Sequence, residues 1–120
     1  MLSRASVETE AGFQRAVIEA ARALGWRVHH TRPARLANGQ WRTPLQGDPG
    51  FPDLMLSRGP DLIAAELKSE HGRLSVPQRQ WLVALRQAGV EVYVWRPSDW
   101  EAIIARLGGP RCAPEGRGHA

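Results

Sequence analysis

A chain of 120 residues has room for one domain around one core. Apolar residues make up 42% and charged residues 23%, the balance of a soluble globule, and no apolar run approaches a membrane span. A formal net charge of +4 with a pI near 10.5 permits an anionic partner. Glu8 and Glu10 stand near the N-terminus where a secretion signal would carry an apolar segment. Cys112 is the single cysteine, which excludes an internal disulfide, and no His or Cys lies at ligand spacing from it for zinc. A cytoplasmic protein is the simplest expectation. The distribution of charge says more than its total. Between Ala20 and Gly47 the chain carries Arg22, Arg27, Arg32, Arg35 and Arg42 and no acid. A basic segment beside separate carboxylates suits an enzyme that holds a polyphosphate and also binds a metal.

Taken in chain order, Thr9 to Leu24 reads as a helix, with Phe13, Val17, Ala20, Ala21 and Leu24 at helical spacing and Gly25 as a stop. Trp26 to His30 alternates as a short strand. Thr31 to Gly50, with Pro33, Asn38-Gly39, Pro44 and Asp48-Pro49-Gly50, reads as a long loop. Phe51 to Ser57 and Leu62 to Lys68 read as two strands of a hairpin joined by Arg58-Gly59-Pro60-Asp61. Ser69 to Leu74 is a polar loop. Ser75-Val-Pro-Gln78 fits a capping box opening a second helix, whose apolar face is Trp81, Leu82, Leu85 and Ala88. Val90 to Trp95 alternates as a strand. Ser98-Asp-Trp-Glu101 fits another capping box and opens a third helix running to Leu107. Trp81, Trp95 and Trp100 fall on apolar faces and read as core. The domain therefore spans residues 1–107, followed by a disordered Gly/Pro/Arg-rich tail over 108–120. The order α-β-β-β-α-β-α makes an α/β domain: a mixed sheet of about four strands with helices packed on it.

The chemistry concentrates in Gly50-Phe-Pro-Asp53 and Glu66-Leu-Lys68. Residues two apart on a strand share a face, so Glu66 and Lys68 project together. Asp53 opens the preceding strand, and antiparallel pairing sets the start of one strand beside the end of the other. Asp53, Glu66 and Lys68 would then converge at one end of the sheet. Two carboxylates in one place repel unless a cation sits between them. Their oxygens suit Mg²⁺ or Mn²⁺, which polarises a phosphodiester and activates water. Lys68 is placed to orient that water or to stabilise the charged transition state. Taken singly, Asp53 also fits a turn residue after Pro52, and Glu66 and Lys68 also fit solvent-facing charges. As a set, an acid inside the apolar Ile63-Ala-Ala-Glu66-Leu67 strand favours the site.

These segments resemble a known family. Gly50-Phe-Pro-Asp53, Glu66-Leu-Lys68, Gly72-Arg-Leu-Ser75, then Gln78 and Trp81 are similar to the VRR-NUC branch of the PD-(D/E)xK nucleases, which have a restriction-endonuclease-like core. The likeness runs from Glu10-Ala-Gly-Phe-Gln14 through Gly25-Trp26 and His30 to Trp95-Arg-Pro-Ser-Asp99, roughly residues 8–107. It implies a Mg²⁺-dependent nuclease acting on DNA, with Asp53 and Glu66 as metal ligands, the Leu67 carbonyl as a third and Lys68 as the catalytic lysine. Gln78 corresponds to the family's motif glutamine, while its place in a capping box accounts for it equally well. An acid of the first helix completes the metal shell in the family, and Glu10 is the candidate. Glu8 and Glu10 also fit acids that complement a helix dipole, and some relatives have the acid where this chain has Gln14. His30 and the loop residues Arg32, Arg35 and Arg42 are candidates for nucleic-acid contact. Trp41 fits either a base stack or a cover for an apolar patch. Relatives of this size resemble small phage proteins, and some act as homodimers on DNA junctions. The alternatives are a non-catalytic nucleic-acid-binding module with the same fold and an unrelated interaction protein.

Overall fold

The computed structural model describes residues 9–31, 34–35, 41–42 and 47–111. Helix α1 is Glu10–Ala23. Thr9 caps it, its hydroxyl accepting from the Gly12 N–H at 2.9 Å, with Glu10 in the first turn and Arg22 in the last complementing the dipole. The chain leaves α1 at Gly25, whose φ of +93° is one that L side chains rarely adopt. Strand β1 is Arg27–His30, followed by the short strands β2 (Ala34–Arg35) and β3 (Trp41–Arg42). Next come β4 (Leu54–Arg58), β5 (Asp61–Leu67), helix α2 (Val76–Gln87) and β6 (Glu91–Trp95). A 3-10 turn at Pro97–Asp99 leads into helix α3, Trp100–Gly108.

Strands β1, β4, β5 and β6 form one sheet in that order. The first two pairings are antiparallel and β5–β6 is parallel, so the sheet is mixed. Strand β5 is buried continuously from Ile63 to Leu67, because helices cover both of its faces. Ile63, Ala65 and Leu67 join Phe13, Val17, Ala21, Ile103 and Leu107 in the larger core under α1 and α3. Ala64 meets Leu82 and Val92 in a smaller cluster under α2. Glu66 alternates with Leu67 and so points to the α2 side with Ala64. Arg106 fastens α3 to the opposite end of the sheet. Its guanidinium grips Glu91 through Nε at 2.6 Å and Nη2 at 2.9 Å, and reaches Asp61 at 3.1 Å.

The α/β layering and the element order agree with the sequence expectation, and several particulars differ. Ala34–Arg35 and Trp41–Arg42 pair as an antiparallel ribbon inside the segment expected to be all loop. The first hairpin strand begins at Leu54 and not Phe51. Pro52 has no N–H for a ladder, and Gly50 is drawn onto the start of α2. The turn contracts to Gly59-Pro60, since Arg58 and Asp61 are themselves paired. The Ser98–Glu101 capping box does not form. The Asp99 carboxylate accepts from the Arg96 N–H at 2.9 Å, the Ser98 N–H donates to Glu70 at 3.0 Å, and the helix starts one residue later, at Trp100. Trp95 is core and Trp100 packs against it, while Trp81 is only half-buried. Residues 108–111, the start of the segment read as tail, lie against the fold, with the Gly109 carbonyl accepting from Arg58 and Arg106. The tail expected beyond them lies outside the described residues, and among the described residues no helix is long and apolar enough to cross a membrane.

Candidate active site

The β4–β5 register sets Leu54 opposite Ala65, which carries Asp53 to the end of β5. There the Asp53 carboxylate accepts from the Leu67 N–H at 2.8 Å. A second tie holds the same residue: its carbonyl accepts from the Thr31 N–H at 3.2 Å. Asp53 is thus fixed between β1 and β5 as well as by its own strand. Glu66 is one of the most buried side chains of the described chain, only 2% exposed. One of its oxygens, Oε2, accepts from the Gln78 amide at 2.8 Å and lies 3.7 Å from the Lys68 ammonium. The other, Oε1, is buried with no hydrogen-bond partner.

Gln78 makes the contacts of a capping box and also reaches Glu66. Its side-chain amide oxygen accepts from the Ser75 N–H at 2.8 Å, and its backbone N–H donates to the Ser75 hydroxyl at 3.2 Å, completing the capping box. The remaining amide N–H group reaches Glu66. The first turn of α2 is therefore tied to Glu66 through one side chain.

A buried carboxylate oxygen without a donor is expensive. The residues present fit a divalent cation, which would satisfy that oxygen and relieve the repulsion between Asp53 and Glu66. Burial, and after it the negative charge of Asp53, pushes the Glu66 carboxyl up to about 7, with Lys68 pulling the other way. In the folded, cation-free protein Glu66 holds its proton between its ordinary value of 4.5 and about 7, where the unfolded chain has lost it. The native state binds more protons in that window, so stability falls as pH rises through it and levels off above it. With EDTA present, the wild type should lose stability relative to Glu66→Gln as the pH rises from about 5 to about 8. Added Mg²⁺ should restore the melting temperature at the upper end. Parallel melting curves for the two proteins would mean that Glu66 is ionised throughout.

The other sequence candidates are placed less centrally. His30 ends β1 opposite Leu54, one position from Asp53, and is half-buried. Glu10 is exposed in the first turn of α1, with Gln14 half-buried one turn on. Among the described residues no group of three or more His, Cys, Asp or Glu gathers to hold a metal, so Glu10 is not assembled with Asp53 and Glu66. Arg35 and Arg42 sit on the β2–β3 ribbon; their side chains, and Arg32 altogether, lie outside the described residues.

One contributor was not assigned from the sequence. The Arg96 guanidinium, through Nη1, donates to the carbonyls of Ser69 and Gly72, both at 2.7 Å, and of Glu70 at 3.3 Å. It clasps the turn that immediately follows Lys68, whose own N–H donates to the Trp95 carbonyl at 3.0 Å. The Trp95-Arg-Pro segment was visible as part of the resemblance. Nothing in its pattern told that the arginine folds back onto carbonyls more than twenty residues earlier.

The VRR-NUC domain family matches residues 14–99, which include Asp53, Glu66, Lys68, Gln78 and Arg96. The chain belongs to the VRR-NUC domain family. No curated protein and no solved structure matches it. A VRR-NUC domain is a nuclease-type domain, so the general function class is cleavage of DNA. The matched span leaves out Glu10, the candidate that the geometry also leaves apart.

Proposed function

We propose that this VRR-NUC domain is a divalent-cation-dependent endonuclease that hydrolyses phosphodiester bonds in DNA and selects its substrate by structure. Mg²⁺ is the working ion and Mn²⁺ a substitute. The observation that carries the reading is the buried, unpartnered Glu66 Oε1 beside Asp53 and Lys68 at one end of the sheet.

Asp53 and Glu66 would hold the cation, with the Leu67 carbonyl completing the protein's share. When bound, it supplies Lewis-acid polarisation of the phosphodiester and a water more easily deprotonated. The rest of the chemistry belongs to the chain itself. Gln78 fixes the orientation of Glu66 by occupying its second oxygen. Lys68, 18% exposed, keeps its ammonium at the edge of the site, where it can meet a scissile phosphate and neutralise charge that develops there. The acid-free stretch with Arg32, Arg35 and Arg42, together with His30, supplies cations and donors for the flanking backbone. A non-catalytic descendant of the fold would be marked by loss of Asp53, Glu66 or Lys68, and all three are present.

The test is an assay of purified protein on duplex, flap, four-way-junction and single-stranded DNA with Mg²⁺, Mn²⁺ or EDTA. Cleavage of at least one form should occur with either cation and none with EDTA. No cleavage of any form with either ion would remove the nuclease reading.

A further inference from the structure

An aromatic feature beside the candidate centre takes no part in the cleavage chemistry. Phe51 stands two residues before Asp53 and is 40% exposed. Its position is nevertheless fixed. It meets Trp81 of α2 at right angles, with ring centroids 5.0 Å apart and planes at 83°. Whichever ring offers its edge in such a contact, at least one face of Phe51 is left uncovered by Trp81. The Trp81 indole N–H donates in turn to the Asp48 carbonyl at 3.2 Å. Between them Gly50 lies so close to α2 that a Cβ there would come within 2.5–2.7 Å of the Pro77 and Gln78 backbone. Only glycine fits that approach, and its φ of +96° agrees. Since Gln78 holds Glu66, the 48–53 loop, the start of α2 and the candidate centre form one braced unit.

The surroundings carry more positive than negative charge, Asp48 being the acid that lines the groove. From His71 to Val90 the chain has Arg73, Arg79 and Arg86 and no acid, and all three arginines are exposed. Two shallow grooves of about 380 and 360 Å³ run together along the outer face of α2, sharing Gln80 and Ala84, from Pro49 and Trp81 to Arg79 and Val83. Two copies of this face would oppose arginine to arginine, which disfavours self-association there.

We propose that this surface binds a DNA strand with an unpaired base, the base stacking on Phe51 and the phosphates following α2 past Arg79 and Arg86. A base within a duplex is already stacked by its neighbours, so a single protruding ring gains only from one that is splayed out. The arginines supply the sequence-independent attraction to the backbone. The proposal rests on the nuclease reading for its orientation, while its test reads binding alone.

The full chain is irradiated in Ca²⁺ with single-stranded, flap and fully paired DNA carrying 5-iododeoxyuridine, and crosslinks are mapped by mass spectrometry. The unpaired substrates should crosslink at Phe51 and the paired duplex should not. Phe51→Ala should weaken binding of the unpaired forms roughly tenfold, the scale of one lost base–aromatic stack, and binding of the duplex by less than about twofold. Phe51→Trp should retain affinity. Phe51→Leu, which still packs on Trp81, should behave like the alanine variant. Equal losses on paired and unpaired DNA, undiminished binding by Phe51→Leu, or crosslinks confined to other residues would overturn the proposal. A wild type that crosslinks at Phe51 yet cleaves nothing would sink the nuclease reading and leave this one standing. Cleavage without a Phe51 crosslink would do the reverse.

Discussion

Asp53→Asn and Glu66→Gln should each lower Mg²⁺-dependent cleavage by roughly three orders of magnitude while leaving the fold in place. Both changes keep the shape and the local hydrogen bonding. An asparagine oxygen still accepts from the Leu67 N–H, and a glutamine oxygen still accepts from the Gln78 amide. What each removes is one negative charge from a pair whose joint function is to hold a cation. The rate loss follows from the several kcal/mol of transition-state stabilisation that a bound ion contributes, each 1.36 kcal/mol being tenfold. The alanine variants are less informative. Glu66→Ala would leave a cavity at a site only 2% exposed and strip Gln78 of its partner, so lost activity could reflect lost packing. In EDTA, Glu66→Gln should melt no lower than the wild type at about pH 8, since it no longer carries a buried charge. A double variant that cuts at the wild-type rate would move the cation, or the chemistry, elsewhere.

The candidate site was legible wherever its geometry followed from strand alternation. An acid in the apolar Ile63–Leu67 run, with a lysine two residues on, declares a shared face without any tertiary information. Hairpin pairing then brings Asp53 to the same end, and the observed register does this. Contacts between distant segments were not legible. The Arg96 clasp and the Trp81–Asp48 bond depend on how α2 and the turn before the third helix dock, which no local pattern encodes. The third helix illustrates a different limit. Ser98-x-x-Glu101 satisfies the capping pattern, but Asp99 competes one residue later by accepting from Arg96, and the 3-10 turn wins. A capping box and a contact to Glu66 do not exclude each other at Gln78. A primary amide has an acceptor and donors, and here one end caps the helix while the other holds Glu66. The ribbon at 34–35 and 41–42 was hidden by its setting, two-residue strands within a stretch rich in Gly and Pro. Glu10 was proposed through resemblance, and neither alternation nor observed contact joins it to the pair.

Lys68 separates an enzyme from an inert binder. Its ammonium lies 3.7 Å from Glu66 Oε2 and is partly open to solvent, so two duties are compatible with its place. It either offsets the negative charge of the carboxylates, or it acts on the scissile phosphate and the attacking water. The first duty affects stability and binding, and the second affects rate. A bound cation would already offset the carboxylates, which leaves the second as the duty of an active enzyme. Lys68→Ala should therefore bind a DNA junction in Ca²⁺ close to the wild-type affinity, and its single-turnover cleavage in Mg²⁺ should fall roughly a hundredfold or more, the scale of one lost preorganised transition-state contact. Lys68→Arg should not rescue the rate. The turn after Lys68 is held by Arg96, so the backbone that walls the space beside the lysine is fixed. A planar guanidinium has to fit that space and cannot substitute for a compact ammonium. Affinity and single-turnover rate must be read on the same junction, because the discriminating quantity is their ratio. If binding falls and the rate at saturating protein does not, Lys68 is a phosphate contact only, and the charge that develops in the transition state must be met by another group.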